Sequence, residues 1–110
     1  MDLDKYDPTP THYFCKLLED KGLMHQYLTQ NIDNLEEKAG FDLKKICQAH
    51  GANFGATCSK CGKVNDRSKL EAAFKVSEVM RCECGGPVKP DITFFGEDLP
   101  AVFETSRMKL

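Results

Sequence analysis

Cys58-Ser59-Lys60-Cys61, then twenty residues, then Cys82-Glu83-Cys84: this stretch decides how the 110-residue chain folds. Two close cysteine pairs at that separation suit one tetrahedral thiolate site, because each pair forms a knuckle offering two sulfurs to one ion about 2.3 Å away. Four sulfurs leave no coordination position open. An ion held by Cys58, Cys61, Cys82 and Cys84 is therefore structural, one zinc per chain, and not an activator of water. A disulfide framework and an iron–sulfur cluster draw on the same residue type and are the competing readings. The second pair has one intervening residue where the first has two, so Cys84 sits at the narrower bite.

Size explains why such a staple is needed. A chain of 110 residues makes at most one ordinary domain, and a domain that small hides only roughly 60 to 65% of its unfolded surface. Its core is thin, and a metal supplements hydrophobic burial. The first residues, Met1-Asp2-Leu3-Asp4-Lys5-Tyr6-Asp7, show no basic stretch followed by an apolar run, and no apolar segment approaches membrane-spanning length. The expectation is a cytoplasmic or nuclear protein without a membrane partner, where cysteine pairs are metal ligands before they are disulfides. A formal net charge of -2, with lysines and acids interspersed, gives no electrostatic argument for direct nucleic-acid binding. The remaining cysteines, Cys15 and Cys47, fall at apolar positions of helical patterns and are expected to be buried thiols.

Outward from the cysteines, Ser68 to Phe74 reads as a helix between the two pairs. Upstream, Thr9-Pro10 followed by Tyr13, Phe14, Leu17 and Leu18 predicts a capped amphipathic helix that Gly22 ends. An extended piece over residues 23–29 follows, and Asp33-Asn34-Leu35-Glu36 has the spacing of a capping box opening a short helix that stops at Gly40. Phe41, Leu43, Ile46 and Cys47 then lead to His50-Gly51. Downstream of Gly85-Gly86-Pro87, Ile92-Thr93-Phe94-Phe95 is expected to be a buried strand, and Leu99-Pro100 to open a last helix.

The flanking motifs are specific in combination. Thr29-Gln30-Asn31-Ile32-Asp33, then His50-Gly51, then the cysteine pairs, then Lys89-Pro90-Asp91-Ile92-Thr93-Phe94-Phe95-Gly96-Glu97 with Leu99-Pro100 come in the order and approximate spacing found in sirtuins. The whole chain resembles the middle of a sirtuin catalytic domain, and His12-Tyr13-Phe14 is similar to the eukaryotic cytosolic and nuclear members. The resemblance implies an α+β fold. In it, residues 1–51 supply helix and strand segments of the NAD-binding catalytic domain, and 52–90 form the zinc module of short antiparallel strands and helices. Residues 91–110 form the return strand and the start of a helix, and outside the module these segments join a doubly wound α/β sheet in the parent.

The implied activity is NAD-dependent protein-lysine deacylation, with transfer of the acyl group to ADP-ribose and release of nicotinamide. By the resemblance, His50 is the general base acting through the ribose hydroxyls, and a histidine that titrates near neutral pH suits that work. Gln30 and Asn31 are implied to contact the nicotinamide-side ribose, while Ile32 and Asp33 line the nicotinamide pocket. Asp33 also reads as a plain helix N-cap, a role that can coexist with the other. Thr93, Phe94, Phe95, Gly96 and Glu97 are implied to rim the acyl-lysine tunnel and to pair with substrate backbone as an added strand.

One element of the family is missing from these residues: the eight glycines contain no G-x-G phosphate loop. In sirtuins that loop stands before the part matched here and the adenosine contacts stand after it. The expectation is an internal fragment that turns over little by itself, with Leu17, Leu28, Ile46, Phe94 and Phe95 on apolar faces open to self-association. The rival readings are a non-enzymatic zinc-ribbon module binding a protein or nucleic acid, and a truncated sirtuin with only a scaffolding role. Near the knuckles Lys60, Lys63, Arg67 and Lys69 bring charge without an aromatic platform, which is a poor surface for nucleic acid.

Overall fold

The computed structural model describes residues 5–110. Two compact units make up the chain: Ala52–Ile92, and residues 5–51 together with Thr93–Leu110.

The second unit begins with helix α1, Pro10–Asp20, whose start follows from sequence chemistry. Thr9 stands at the N-cap in extended conformation and Pro10 at the first helical position, where its missing N–H has no partner to lose. Gly22, at φ +70°, turns the chain out of the helix. Strand β1, Tyr27–Thr29, pairs in parallel with β2, Ile46–Gln48, in the register Tyr27↔Ile46, Leu28↔Cys47 and Thr29↔Gln48. Between them run the short helix α2, Leu35–Lys38, and one 3-10 turn, Leu43–Lys45. The buried hydrophobic side chains here are Leu35, Ala39, Phe41, Cys47 and Ala49, and the ring of Phe41 stands 5.0 Å from that of Tyr27. Glu19 is a buried acid with a clear task. Its carboxylate accepts the backbone N–H of Asp42 at 3.0 Å and the Lys16 ammonium at 2.6 Å, tying α1 to the chain leaving α2.

The first unit is built on antiparallel β3, Thr57–Cys58, and β4, Val88–Lys89, with helix α3, Arg67–Lys75, between them. Asp66 caps α3 by accepting the Ser68 N–H at 2.9 Å, and Leu70 is the residue that α3 buries. Its core is Ala56, Cys58, Leu70, Cys82 and Val88, with Met80 packed against it. Two of five core residues are cysteines, so hydrophobic burial and sulfur placement are one structural problem. Helix α4, Ala101–Arg107, closes the chain in the second unit, opened by Pro100 as expected, and Cys47 Sγ lies 3.9 Å from the Val102 carbonyl oxygen.

Mixed α+β architecture with one small parallel and one small antiparallel sheet is thus established. Three local expectations are corrected. No extended strand forms over residues 92–95: Ile92 is a single bridging residue, Thr93 N–H donates to the His50 carbonyl at 2.8 Å, and the chain then enters a turn closed by Glu97 N–H donating to the Phe94 carbonyl at 3.1 Å, with Gly96 at φ +84°. An apolar run of four makes an extended strand only where a neighbouring strand continues beside it, and the pairing here is limited to a single bridging residue. Cys47 lies on a strand, not on a helix, and Cys15 is half-buried. Helix α2 starts after Asn34, one residue later than the capping box indicates. Asn34 adopts φ +59°, held by Gln48 Nε2 donating to its Oδ1 at 2.7 Å, while Asp33 Oδ1 accepts the Leu35 N–H at 3.1 Å.

Candidate functional site

The metal centre is assembled by two turns. After Cys58 the chain reverses, with Gly62 N–H donating to the Cys58 carbonyl and Cys58 N–H to the Lys63 carbonyl, both at 3.0 Å. The turn aims the N–H groups of Lys60 and Cys61 at Cys58 Sγ, 3.4 and 3.5 Å away. The second turn pairs Cys82 N–H with the Gly86 carbonyl at 2.9 Å and directs Gly86 N–H to Cys84 Sγ at 3.4 Å. A bridge between Lys63 and Glu83 crosses from one knuckle to the other. The single-residue spacing of Cys82-Glu83-Cys84 is therefore no obstacle to Cys84 joining the cluster.

All four sulfurs lie within 4.8 Å of one another. Cys58 and Cys84 are 3.5 Å apart and Cys61 and Cys82 3.7 Å, which matches the edge of roughly 3.8 Å that a tetrahedron with metal–sulfur bonds of about 2.3 Å requires. A Cβ on Gly86 would stand 2.8 Å from Cys58 Sγ and 2.6 Å from Lys60 Cβ, so only glycine lets the backbone come this close. The Cys61 N–H, aided by that of Lys60, lowers the Cys58 thiol from 9.0 to about 6. The Cys84 N–H does the same in direction for Cys82. At Cys84 the Gly86 N–H acts downward, but the neighbouring Cys61 and Cys58 sulfurs outweigh it and push the thiol up to about 12. Sulfurs that cannot all ionise by themselves, yet are held at tetrahedral spacing, fit a divalent soft metal, and the closed donor set fits structural zinc.

A second constellation lies in the other unit. Because β1 and β2 are parallel, the chain leaves both at the same edge, Gln30 following the first strand and His50 coming two residues after the second. Ligands of α/β sheets gather at such carboxyl ends. His50 Nδ1 stands 3.1 Å from the Gln30 carbonyl oxygen, and the Thr93 N–H donates to the His50 carbonyl at 2.8 Å. The Asn31 N–H is held by Thr29 Oγ1 at 3.1 Å. Gln30 and Asn31 are exposed, and Ile32, Asp33, His50 and Thr93 half-buried. Phe94, Phe95, Gly96 and Glu97 project on the turn, Phe95 at 109% relative exposure. The structure thus joins His50 to the Gln30 backbone and to Thr93.

Sequence reasoning missed Thr29 and Gln48, which orient Asn31 and Asn34, and missed the burial of Glu36. A capping-box glutamate is read as a surface residue, so its sequence position carried no signal of burial. No helix among the described residues is long and apolar enough to cross a membrane.

Comparison with known proteins agrees with this geometry. The Sir2 family model matches residues 1–110. The chain is 46% identical over 99 residues to the mouse (Mus musculus) NAD-dependent protein deacetylase sirtuin-3, covering 89% of this chain and 30% of that protein. It is 42% identical over 108 residues to the NAD-dependent protein deacetylase SIR2rp1 of Trypanosoma brucei brucei, covering 94% and 31%. With the zebrafish (Danio rerio) NAD-dependent protein deacetylase sirtuin-2 it shares 41% over 105 residues, covering 93% and 28%. The chain therefore spans about 30% of the length of these curated relatives. A solved structure described as "The Structural basis for Sirtuin Substrate affinity" superposes with a TM-score of 0.81 at 30% identity, over 97% of this chain and 44% of that one.

Proposed function

The chain belongs to the Sir2 family, and from that premise we propose that it forms part of an NAD-dependent protein-lysine deacylase that passes the acyl group to ADP-ribose and releases nicotinamide. The observation that carries this reading is the tautomer of His50. A carbonyl oxygen only accepts, so the contact with Gln30 puts the ring hydrogen on Nδ1 and leaves Nε2 as a lone-pair base. A base of that kind, on the carboxyl edge of parallel strands, suits removal of a proton from a positioned ribose hydroxyl. Gln30 and Asn31 serve the ribose, Ile32 and Asp33 the nicotinamide, and Thr93 to Glu97 the acyl-lysine. The four-cysteine centre is too closed to take part in the chemistry and holds the 52–92 unit together.

The eight glycines contain no G-x-G loop, so these residues have no phosphate cradle of their own. Catalysis needs His50 held against a bound dinucleotide, and turnover is expected only in a polypeptide that joins these residues to such a loop. Cysteines committed to a metal centre support residence in the reducing cytoplasm or nucleus. The test is an assay of that longer polypeptide with NAD and an acetyl-lysine peptide. Equal yields of nicotinamide, deacetylated peptide and acylated ADP-ribose support the reading; peptide or nucleic-acid binding without NAD consumption would move it to a zinc-ribbon binding module.

A further inference from the structure

Glu36 is 1% exposed, and neither of its carboxylate oxygens has a hydrogen-bond partner among the described residues. A buried carboxylate without a donor is strongly destabilising, so something must meet it. One oxygen of Glu36, one of Asp33 and a ring nitrogen of His12 lie within 4.8 Å of one another. Asp33 has already given Oδ1 to the Leu35 N–H. The Tyr27 hydroxyl is raised by burial first and then by the Glu36 charge, so it stands near, but its contact with that carboxylate falls short of hydrogen-bond geometry.

The histidine is oriented by α1. The Thr9 backbone N–H donates to His12 Nδ1 at 3.1 Å, and Thr9 Oγ1 lies 2.8 Å from the same nitrogen. A nitrogen that accepts from a backbone amide carries no hydrogen, so the hydrogen of the neutral ring is on Nε2. That tautomer disfavours a metal at this cluster, since one lone pair is engaged and the other nitrogen is protonated. It makes His12 a donor beside Glu36, which lacks one, and Asp33, whose Oδ1 is engaged by the Leu35 N–H.

We propose that His12 is a positioning residue for the nicotinamide pocket: its Nε2–H, directly or through one water, ties the Asp33 and Glu36 carboxylates together and fixes the loop that carries Asp33. This rests on the reading of Asp33 as a pocket residue. In this arrangement the helix-capping contact uses Nδ1 and the carboxylate contact uses Nε2, so they can be separated by substitution. His12→Asn keeps an acceptor near Nδ1 for the Thr9 N–H but has no donor that reaches the acids. His12→Gln places an amide donor near the Nε2 position and gives up the cap.

Two readouts test it. Long-range 15N spectra of the zinc-loaded chain should show His12 as the Nε2–H tautomer, with that resonance shifted in Asp33→Asn and in Glu36→Gln; an Nδ1–H tautomer, or a resonance that neither variant moves, overturns the contact. In the longer polypeptide, His12→Asn should raise KM for NAD roughly tenfold with a smaller change in kcat, as loss of an orienting outer partner does elsewhere, whereas His12→Gln stays within about threefold of the unsubstituted protein. The reverse order would make His12 a helix cap only. A second divalent ion per chain, lost in Glu36→Gln, would replace the proposal with a metal site. Absence of NAD turnover even without substitution would sink the enzymatic reading, while the ring spectrum would still decide the His12 contact.

Discussion

His50 Nδ1 and the main-chain oxygen of Gln30 are 3.1 Å apart, and each residue stands just beyond one strand of the parallel pair β1 and β2. The Thr29↔Gln48 register sets how far each loop projects, so a backbone pairing decides which nitrogen of a side chain is basic. A shift of one residue in that register would carry His50 away from the carbonyl and free its ring to take either tautomer.

Replacing His50 gives a graded expectation. In the longer polypeptide, His50→Ala should lower deacylation by about 100-fold to 10,000-fold, the usual worth of a positioned general base. If, as proposed, His50 takes its proton from a ribose hydroxyl only once nicotinamide has left, exchange of labelled nicotinamide into NAD should fall much less. Equal loss of both reactions would show that His50 serves binding or structure instead.

Zinc binding should release protons in a pH-dependent number. With Cys58 lowered to about 6 chiefly by the Cys61 N–H, its sulfur is already a thiolate at neutral pH, whereas Cys84 at about 12 is a thiol that must lose its proton to become a ligand. The sign follows for the metal-free fold: the Cys58 contribution to stability is complete above its ordinary 9.0 and fades as pH falls through about 6. The Cys84 contribution is complete below its ordinary 9.0 and fades as pH rises toward about 12. Calorimetric zinc titration in buffers of different ionisation enthalpy should therefore count more protons released at about pH 5.5 than at about pH 7.5. A count that does not change would contradict the Cys58 assignment.

Gly86→Ala probes the close approach at the metal centre. The added methyl would press on Cys58 Sγ at 2.8 Å and on Lys60 Cβ at 2.6 Å, and overpacking of this kind costs about 1 to 3 kcal/mol. Zinc affinity, measured by competition with a chromophoric chelator, should fall by about fivefold to 150-fold. Gly62→Ala is a contrasting control, because nothing lies within 4 Å of its Cβ position and only its φ of +74° resists the substitution. Affinity unchanged in Gly86→Ala would mean that the second knuckle can shift to make room.

The cysteine pairs and helices α1 and α3 are legible in the sequence because their signals are local. Ligand spacing, Thr9-Pro10 and Gly22 act within a few residues of the structure they specify. The turn at Phe94 and Phe95 is not legible in that way, since the same apolar run is a strand beside an edge and a loop without one. Glu36 is harder still: its spacing from Asp33 marks a helix start, and only the arrival of His12 from α1 shows the two acids to be neighbours. The His50 tautomer likewise depends on a contact between residues twenty positions apart.

Phe95 offers the sharpest separation of a binding role from a packing role. Its side chain is at 109% relative exposure on a turn whose base is anchored by the Thr93 N–H on the His50 carbonyl. A core phenylalanine cut to alanine costs about 3 to 5 kcal/mol, but here no buried area is lost, so Phe95→Ala should leave the urea midpoint of the chain unchanged. If the turn rims the acyl-lysine tunnel, the same substitution in the longer polypeptide should raise KM for an acetyl-lysine peptide by about tenfold, while KM for NAD stays near its starting value. Lost stability with an unchanged peptide KM would mean that Phe95 finds a hydrophobic core in the longer polypeptide and that the peptide lies elsewhere. An unchanged midpoint with a raised peptide KM would place the aromatic on the substrate, on a turn joined through Thr93 to His50.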